Sequence, residues 1–422
     1  MSFHQAKLAK GVYRSLLAAA GWLSLALLLG ALGVGCHTST SGSSQPGNAQ
    51  VLLWVADTKN NRMLGYQAPP KNGDPALVVI GQSAFGPTEC NSGGLSGATL
   101  CGPIGAALDA NGNLWVADAG NNRVLEFTSS FRIGQQAALV IGQPSFAASG
   151  ACTPSPTSIC GPRYLAFDHQ GNLWVSDAKN NRVLEFQPPF STGMAATLVL
   201  GQPNFNSFVC TPPTAVGMCS PSGLAFDSKG NLFVSDVNNS RVMMFNPSPS
   251  FRTGMPANLA IGQPNLLSNT QFPPSPSSLS SPSGLSVDGS DNLYVADSGN
   301  SRIMIFSPPA SSGEDAFAVL GNNNFIMINL NDCGPPPSGG GTAVNGGTIC
   351  HPLDVKVDGA GNVVVPDQNN RTLIFEPPIT TGEFASVVLG QPSLSLQLPP
   401  TGLPTSQNDP GGVAVSGNTV TP

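Results

Sequence analysis

The chain has 422 residues, 9% of them charged, with 17 Lys+Arg against 23 Asp+Glu. Nucleic-acid binding needs clustered Lys and Arg to neutralise phosphates, and no basic run follows the first 14 residues, so that class of partner is excluded. Gly and Pro are abundant (49 and 39) but spread along the chain, at turns and loops rather than in one disordered block.

The N-terminal residues read as a targeting segment outside the fold. Lys7, Lys10 and Arg14 precede an apolar stretch from Leu16 to Val34, with no acidic residue before Cys36. Leu32-Gly33-Val34-Gly35-Cys36 is similar to the lipidation box of bacterial lipoproteins, with Gly33 where Leu is usual. Residues 1–35 are therefore expected to be a signal peptide, and a lipidated Cys36 is favoured over an uncleaved anchor. The stretch is also long enough to span a bilayer, so the anchor remains the alternative. Residues 36–50, rich in Ser, Thr and Gly, form a flexible tether. The expected location is the bacterial cell envelope, outside the cytoplasm, with membrane contact only through the N-terminus. Without Lys7, Lys10 and Arg14, 14 basic residues face 23 acidic ones, a net charge of −9.

From residue 51 one phrase recurs six times, beginning at Leu52, Asn113, Asn172, Asn231, Asn292 and Asn362, as in Asn172-Leu-Trp-Val-Ser-Asp177 followed by Asn-Asn-Arg182. Its acidic residue falls at Asp57, Asp118, Asp177, Asp236, Asp297 and Asp367, and its basic residue at Arg62, Arg123, Arg182, Arg241, Arg302 and Arg371. A fixed period means one supersecondary unit that buries its apolar faces against its neighbours. Within the third copy, Tyr164–Asp168, Asn172–Asp177, Arg182–Gln187 and Ala196–Leu200 read as four strands separated by Asn, Gly and Pro turns. The first copy has no strand before Leu52, and the missing piece stands at 410–418, so the C-terminal strand closes the N-terminal unit. The fold class is all-β: a six-bladed β-propeller of four-stranded antiparallel blades over residues 51–422.

Pro221-Ser222-Gly223-Leu224-Ala225-Phe226-Asp227 through Phe245 resembles the NHL repeat almost position for position. The resemblance covers about 51–422 and implies the propeller, but it is weak for function, because NHL propellers serve as enzymes, RNA binders and protein-binding platforms. The sixth copy departs from the pattern: Pro366 precedes its Asp, and one residue is missing between Asp367 and Arg371.

Eight cysteines remain after Cys36: Cys90 and Cys101, Cys152 and Cys160, Cys210 and Cys219, Cys333 and Cys350. Each pair falls in a loop joining consecutive blades, which favours four local disulfides and an oxidising compartment over metal binding. The repeated Asp and Arg are expected to be structural, each Asp shaping a turn and each Arg pairing locally. A site needs asymmetry, and these residues are symmetric. Asp109, Asp168, Asp227, Asp288 and Asp358, at the ends of the innermost strands, are read in the same way.

Catalytic groups are scarce. His169 is placed in an exposed hairpin turn, His351 follows Cys350, and Lys356 is read as the one charge within an innermost strand, either facing the channel or paired with Asp354 or Asp358. No nucleophile elbow, phosphate loop or metal-binding His cluster occurs, so no catalytic residue, metal or cofactor is assigned. The expected function is a non-catalytic binding scaffold for a protein, peptide or glycan, working as a monomer. The alternative, implied by the family resemblance, is a propeller enzyme of lyase or lactonase type with a channel metal. The most divergent loop, from Gly321 to His351, carries Phe325, Ile326, Met327, Ile328 and Leu330 as a candidate binding segment, or else as a flap over the channel mouth or against blade five.

Overall fold

The apolar runs are short and punctuated by turn residues, and each repeat folds as a four-stranded antiparallel sheet. A computed structural model describes residues 51–150, 152–210, 212–326, 344–398 and 400–415. Residues 1–50, with the expected signal peptide, Cys36 and tether, lie outside the described residues. In the third blade the strands are Pro162–Phe167, Leu173–Asp177, Arg182–Phe186 and Leu198–Leu200, paired in that order. Six such sheets make the ring, an all-β propeller as the period demands.

The first sheet is split across the chain. Pro410–Val415 pairs antiparallel with Val51–Asp57, with Leu53 opposite Val415 and Val55 opposite Val413. This is the closure expected from the missing strand before Leu52.

Strands are apolar on both sides because each sheet is sandwiched between two others. Trp115 and Ala117 of the second blade pack with Leu165, Val175 and Leu184 of the third. Their alternate neighbours Leu114 and Val116 pack with Trp54 and Met63 of the first. Repeating this around the ring gives six apolar layers, the last joining Val364 and Ile374 of blade six to Val55, Leu64 and Val413 of blade one.

The recurring Asp and Arg tie the connections on one face. Arg182 Nε donates to Asp177 at 2.7 Å, and both side chains are fully buried. Its guanidinium also donates to the carbonyls of Ser155 (3.0 Å), Ser158 (2.9 Å) and Phe205, which lie in the loops on either side of the blade. Asp177 accepts in turn from the Cys160 amide at 2.6 Å and from Asn180 at 2.9 Å. The same ion pair stands in all six blades. The second Asn of the phrase acts between blades. Asn181 adopts a left-handed backbone (φ 53°), which Asn tolerates better than most residues, and its side chain accepts from the Ser220 amide of the next blade at 2.8 Å.

Blade six departs as its sequence does. Asp367 and Arg371 are joined by a three-residue turn, without the short 3-10 helix that follows the Asp in the other five blades. Its innermost strand is only Lys356–Val357, against six residues in each of the other five blades. The cause is local: the Asp354 side chain accepts from the Val355 amide at 2.9 Å and from Val413 of the closing strand at 3.0 Å, in place of regular pairing there.

Three of the expected disulfides form, Cys90–Cys101, Cys152–Cys160 and Cys210–Cys219, each within one interblade loop. Cys350 is also disulfide-bonded, whereas Cys333 lies outside the described residues. Disulfides persist in oxidising surroundings, so the propeller belongs outside the cytoplasm. No helix among the described residues is long and apolar enough to cross a membrane.

Candidate functional site

Innermost segments of a propeller meet around the axis, and here the second residue after the proline that opens each one decides whether the channel stays open. That residue is Gly105, Tyr164, Gly223, Gly284, Asp354 and Gly412 in blades two to six and one. At four positions only glycine fits. A Cβ on Gly284 would lie 2.1 Å from Asp354 Oδ1, and one on Gly105 would lie 2.3 Å from the Arg163 carbonyl. The two exceptions fill the middle. Tyr164 is buried, and its hydroxyl crosses the ring to donate to the Leu353 carbonyl of blade six, with the Gly411 carbonyl of the closing strand at 3.4 Å. Asp354, fully buried, faces it from blade six. Together they block the channel partway along its length.

Lys356 sits beneath this plug. Its ammonium donates to the Leu285 carbonyl at 2.8 Å, pairs with Asp354 at 3.4 Å and stands 5.8 Å from the centre of the Tyr164 ring. The pairing with Asp354 matches expectation. Lys356 is not, however, the one charge of an innermost strand. Arg163 also belongs to one, near its start, where it lines a surface pocket with Ile104 and Lys179.

Burial pushes the Asp354 carboxyl up from 3.8 to about 6, with Lys356 and the two amides opposing. The folded protein thus keeps a proton that the unfolded chain releases, so the Asp354 contribution to stability is fullest below about pH 4 and is lost as pH rises to about 6. Asp354→Asn is expected to abolish that fall. Between those limits, denaturant titration should find wild type losing about 3 kcal/mol relative to the variant. A difference independent of pH would contradict the burial argument.

Below the plug the channel widens into a cavity of about 870 Å³ that opens on the face carrying the hairpin turns after the innermost strands. His169 lines it. It is half-buried rather than exposed as expected, being part of the cavity lining, and its Nε2 has no hydrogen-bond partner among the described residues. His351 has a structural contact, its Nδ1 lying 2.9 Å from the Ser298 carbonyl. Asp168 holds its own turn: it accepts from the Asn172 amide at 2.9 Å and from Trp174 Nε1 at 2.9 Å. Among the described residues no three His, Cys, Asp or Glu side chains converge on a point that could hold a metal ion.

The opposite face gathers the interblade loops and with them the exposed apolar surface. Twelve large apolar side chains are exposed among the described residues, and eight of them stand on these loops: Phe208, Val209, Leu267, Phe272, Ile326, Leu396, Leu398 and Leu403. Leu267 and Ile326 are 72% and 70% exposed, so no described part of the chain covers them. Of the candidate segment, Phe325 packs against the layer between blades four and five, and its carbonyl accepts from Arg302. Ile326 alone of the two described residues projects outward; Met327, Ile328 and Leu330 lie outside the described residues. Composition could not have separated Phe325 from Ile326.

The architecture defines the class first: a six-bladed β-propeller with a plugged channel and one apolar, disulfide-braced loop face. The NHL repeat model matches residues 100–127, 218–244 and 279–306, so the chain carries NHL repeats in blades two, four and five. Rat and mouse peptidylglycine α-amidating monooxygenases are each 32% identical over 176 residues, 37% of this chain. The chain spans only 16% of the length of these curated relatives. Solved structures of similar fold include a chain of a nidogen–laminin complex (15% identity, 86% of this chain and 97% of that one, TM-score 0.48). A streptogramin B lyase is another (13% identity, 72% of each chain, TM-score 0.40).

Proposed function

We propose that this protein is a non-catalytic binding scaffold of the cell envelope, anchored through Cys36, whose interblade-loop face recognises a protein partner. The observation that carries the reading is the concentration of exposed apolar side chains on that one face. Scattered surface hydrophobes need no explanation, but a cluster on one face marks an interaction surface. The frame suits such recognition. Buried arginines tie these loops to the blades, Arg241 through the Leu266 carbonyl, Arg302 through Ser275 and Ser278, and Arg62 through Gly402 and Leu403. The Cys210–Cys219 disulfide braces the loop of Phe208 and Val209, so little ordering is left to binding. The titratable groups at the plug are engaged with one another and with backbone groups, which supports binding over chemistry there.

Affinity capture from envelope extract should compare wild type with a Phe208→Ser, Leu267→Ser, Leu398→Ser variant and with Ile326→Ser. Loss of one desolvated anchor costs about 1–2 kcal/mol, so the triple variant should lose the partner and the single one should weaken it roughly tenfold. An unchanged partner profile with the fold intact would remove the loop face from consideration.

A further inference from the structure

We infer that the blind cavity on the opposite face is a second binding site, for a neutral hydrophobic small molecule carrying a carbonyl-type acceptor. Its volume, about 870 Å³, lies in the range of drug-sized ligand pockets. The plug makes it a pocket rather than a pore, since Tyr164 and Asp354 close the inner end. Its walls are largely apolar. Phe167, Phe190 and Phe226 stand toward the mouth, and Ala107 and Ala166 leave space between them.

One cationic group waits at depth, beside the buried Ser286. An ammonium has three donors. Lys356 uses one on the Leu285 carbonyl and one on Asp354, and it lines the cavity while almost wholly buried. A ligand acceptor meeting the third hydrogen would gain a charge-assisted bond in a nearly dry site.

The sign of the surrounding charge selects a neutral ligand. Asp354 balances the Lys356 charge at the inner end. Asp109, Asp168 and Glu126 line the outer part, and although the two Asp carboxylates are bonded within their turns, the negative charge of the group disfavours an entering anion. A hydrophobic acid would therefore be repelled at the mouth and gain no net cation inside. A neutral ketone or quinone-like molecule meets neither obstacle. This site is on the face away from the proposed partner surface and does not depend on that reading.

The test uses the intact propeller and Nile red, a neutral dye with a carbonyl acceptor. Saturable one-to-one binding is expected. A long-chain methyl ketone should displace the dye at about one-tenth the concentration needed by the matched alkane, the factor a charge-assisted hydrogen bond supplies. The matched fatty carboxylate should compete less well than the ketone. Ala166→Trp, which fills the space, should weaken the dye at least about tenfold at an unchanged melting temperature; Ala107→Trp is the second such variant if the first does not fold. No saturable binding, equal displacement by ketone and alkane, strongest competition by the carboxylate, or full binding to a folded cavity-filled variant would each overturn the proposal. Ser substitutions on the loop face should leave dye binding unchanged; a loss of dye binding there would overturn the independence of the two sites.

Discussion

Truncation after Asn408 is expected to destabilise the whole ring rather than fray its end. The segment lost includes Pro410–Val415, which supplies the innermost strand of blade one. Val413 and Val415 are buried in the layer between blades six and one, and Ala414 in the layer between blades one and two. The Val413 amide also satisfies Asp354, and the Gly411 carbonyl lies beside the Tyr164 hydroxyl. Two buried valines and a strand of hydrogen bonds amount to about 5 kcal/mol. For a domain of this size that corresponds to a melting point lower by roughly 6 °C. The unpaired edge of Val51–Asp57 should also promote association between molecules. A truncated protein melting within a degree or two of the intact one would show that closure contributes little.

Arg182→Met should cost a similar amount through a different cause. The substitution preserves bulk, yet it leaves Asp177 as a buried carboxyl whose paired cation is gone, and it orphans the Ser155, Ser158 and Phe205 carbonyls. Breaking a buried pair by removing one partner costs about 3–5 kcal/mol. Burial already pushes the Asp177 carboxyl up against the pull of Arg182, so without the guanidinium it should take up a proton. Adding Asp177→Leu removes the stranded acid and should recover part of the loss. A double-mutant cycle by chemical denaturation measures this coupling. Strict additivity of the two substitutions would mean that the pair acts as two independent groups.

The repeated part of the molecule is legible in the sequence because each copy reports the same environment. Six Asp and six Arg at matching positions can only be frame, and the buried pairs have the local role expected of them. Closure is legible for the same reason, since a period with one strand missing at its start must recover it at its end. What the period does not convey is how unlike residues meet across the axis. Tyr164 and Asp354 replace glycine in two of six copies, and that replacement is the available signal for the plug. It acquires meaning only once blades three and six face each other and the strands bulge at that level. Lys356 stands out in the sequence as a charge, whereas Arg163, one residue before Tyr164, does not. The loop face is harder still. Phe205 and Phe208 stand three residues apart in the same loop, yet the first packs inward and the second is exposed. Both backbone carbonyls are held from the same turn, Phe205 by Arg182 and Phe208 by Asn181, so only the placement of the side chains separates the two.

Whether a partner meets the interblade-loop face is decided by site-specific photocrosslinking in the producing cell. A photoreactive residue at Leu267 reports that face, and one at Ile133, exposed in the connection between the third and fourth strands of blade two, reports the other side. A discrete protein adduct is expected at Leu267 and none at Ile133. Adducts at Ile133 alone, or none at either position in a folded protein, would contradict recognition through the loops.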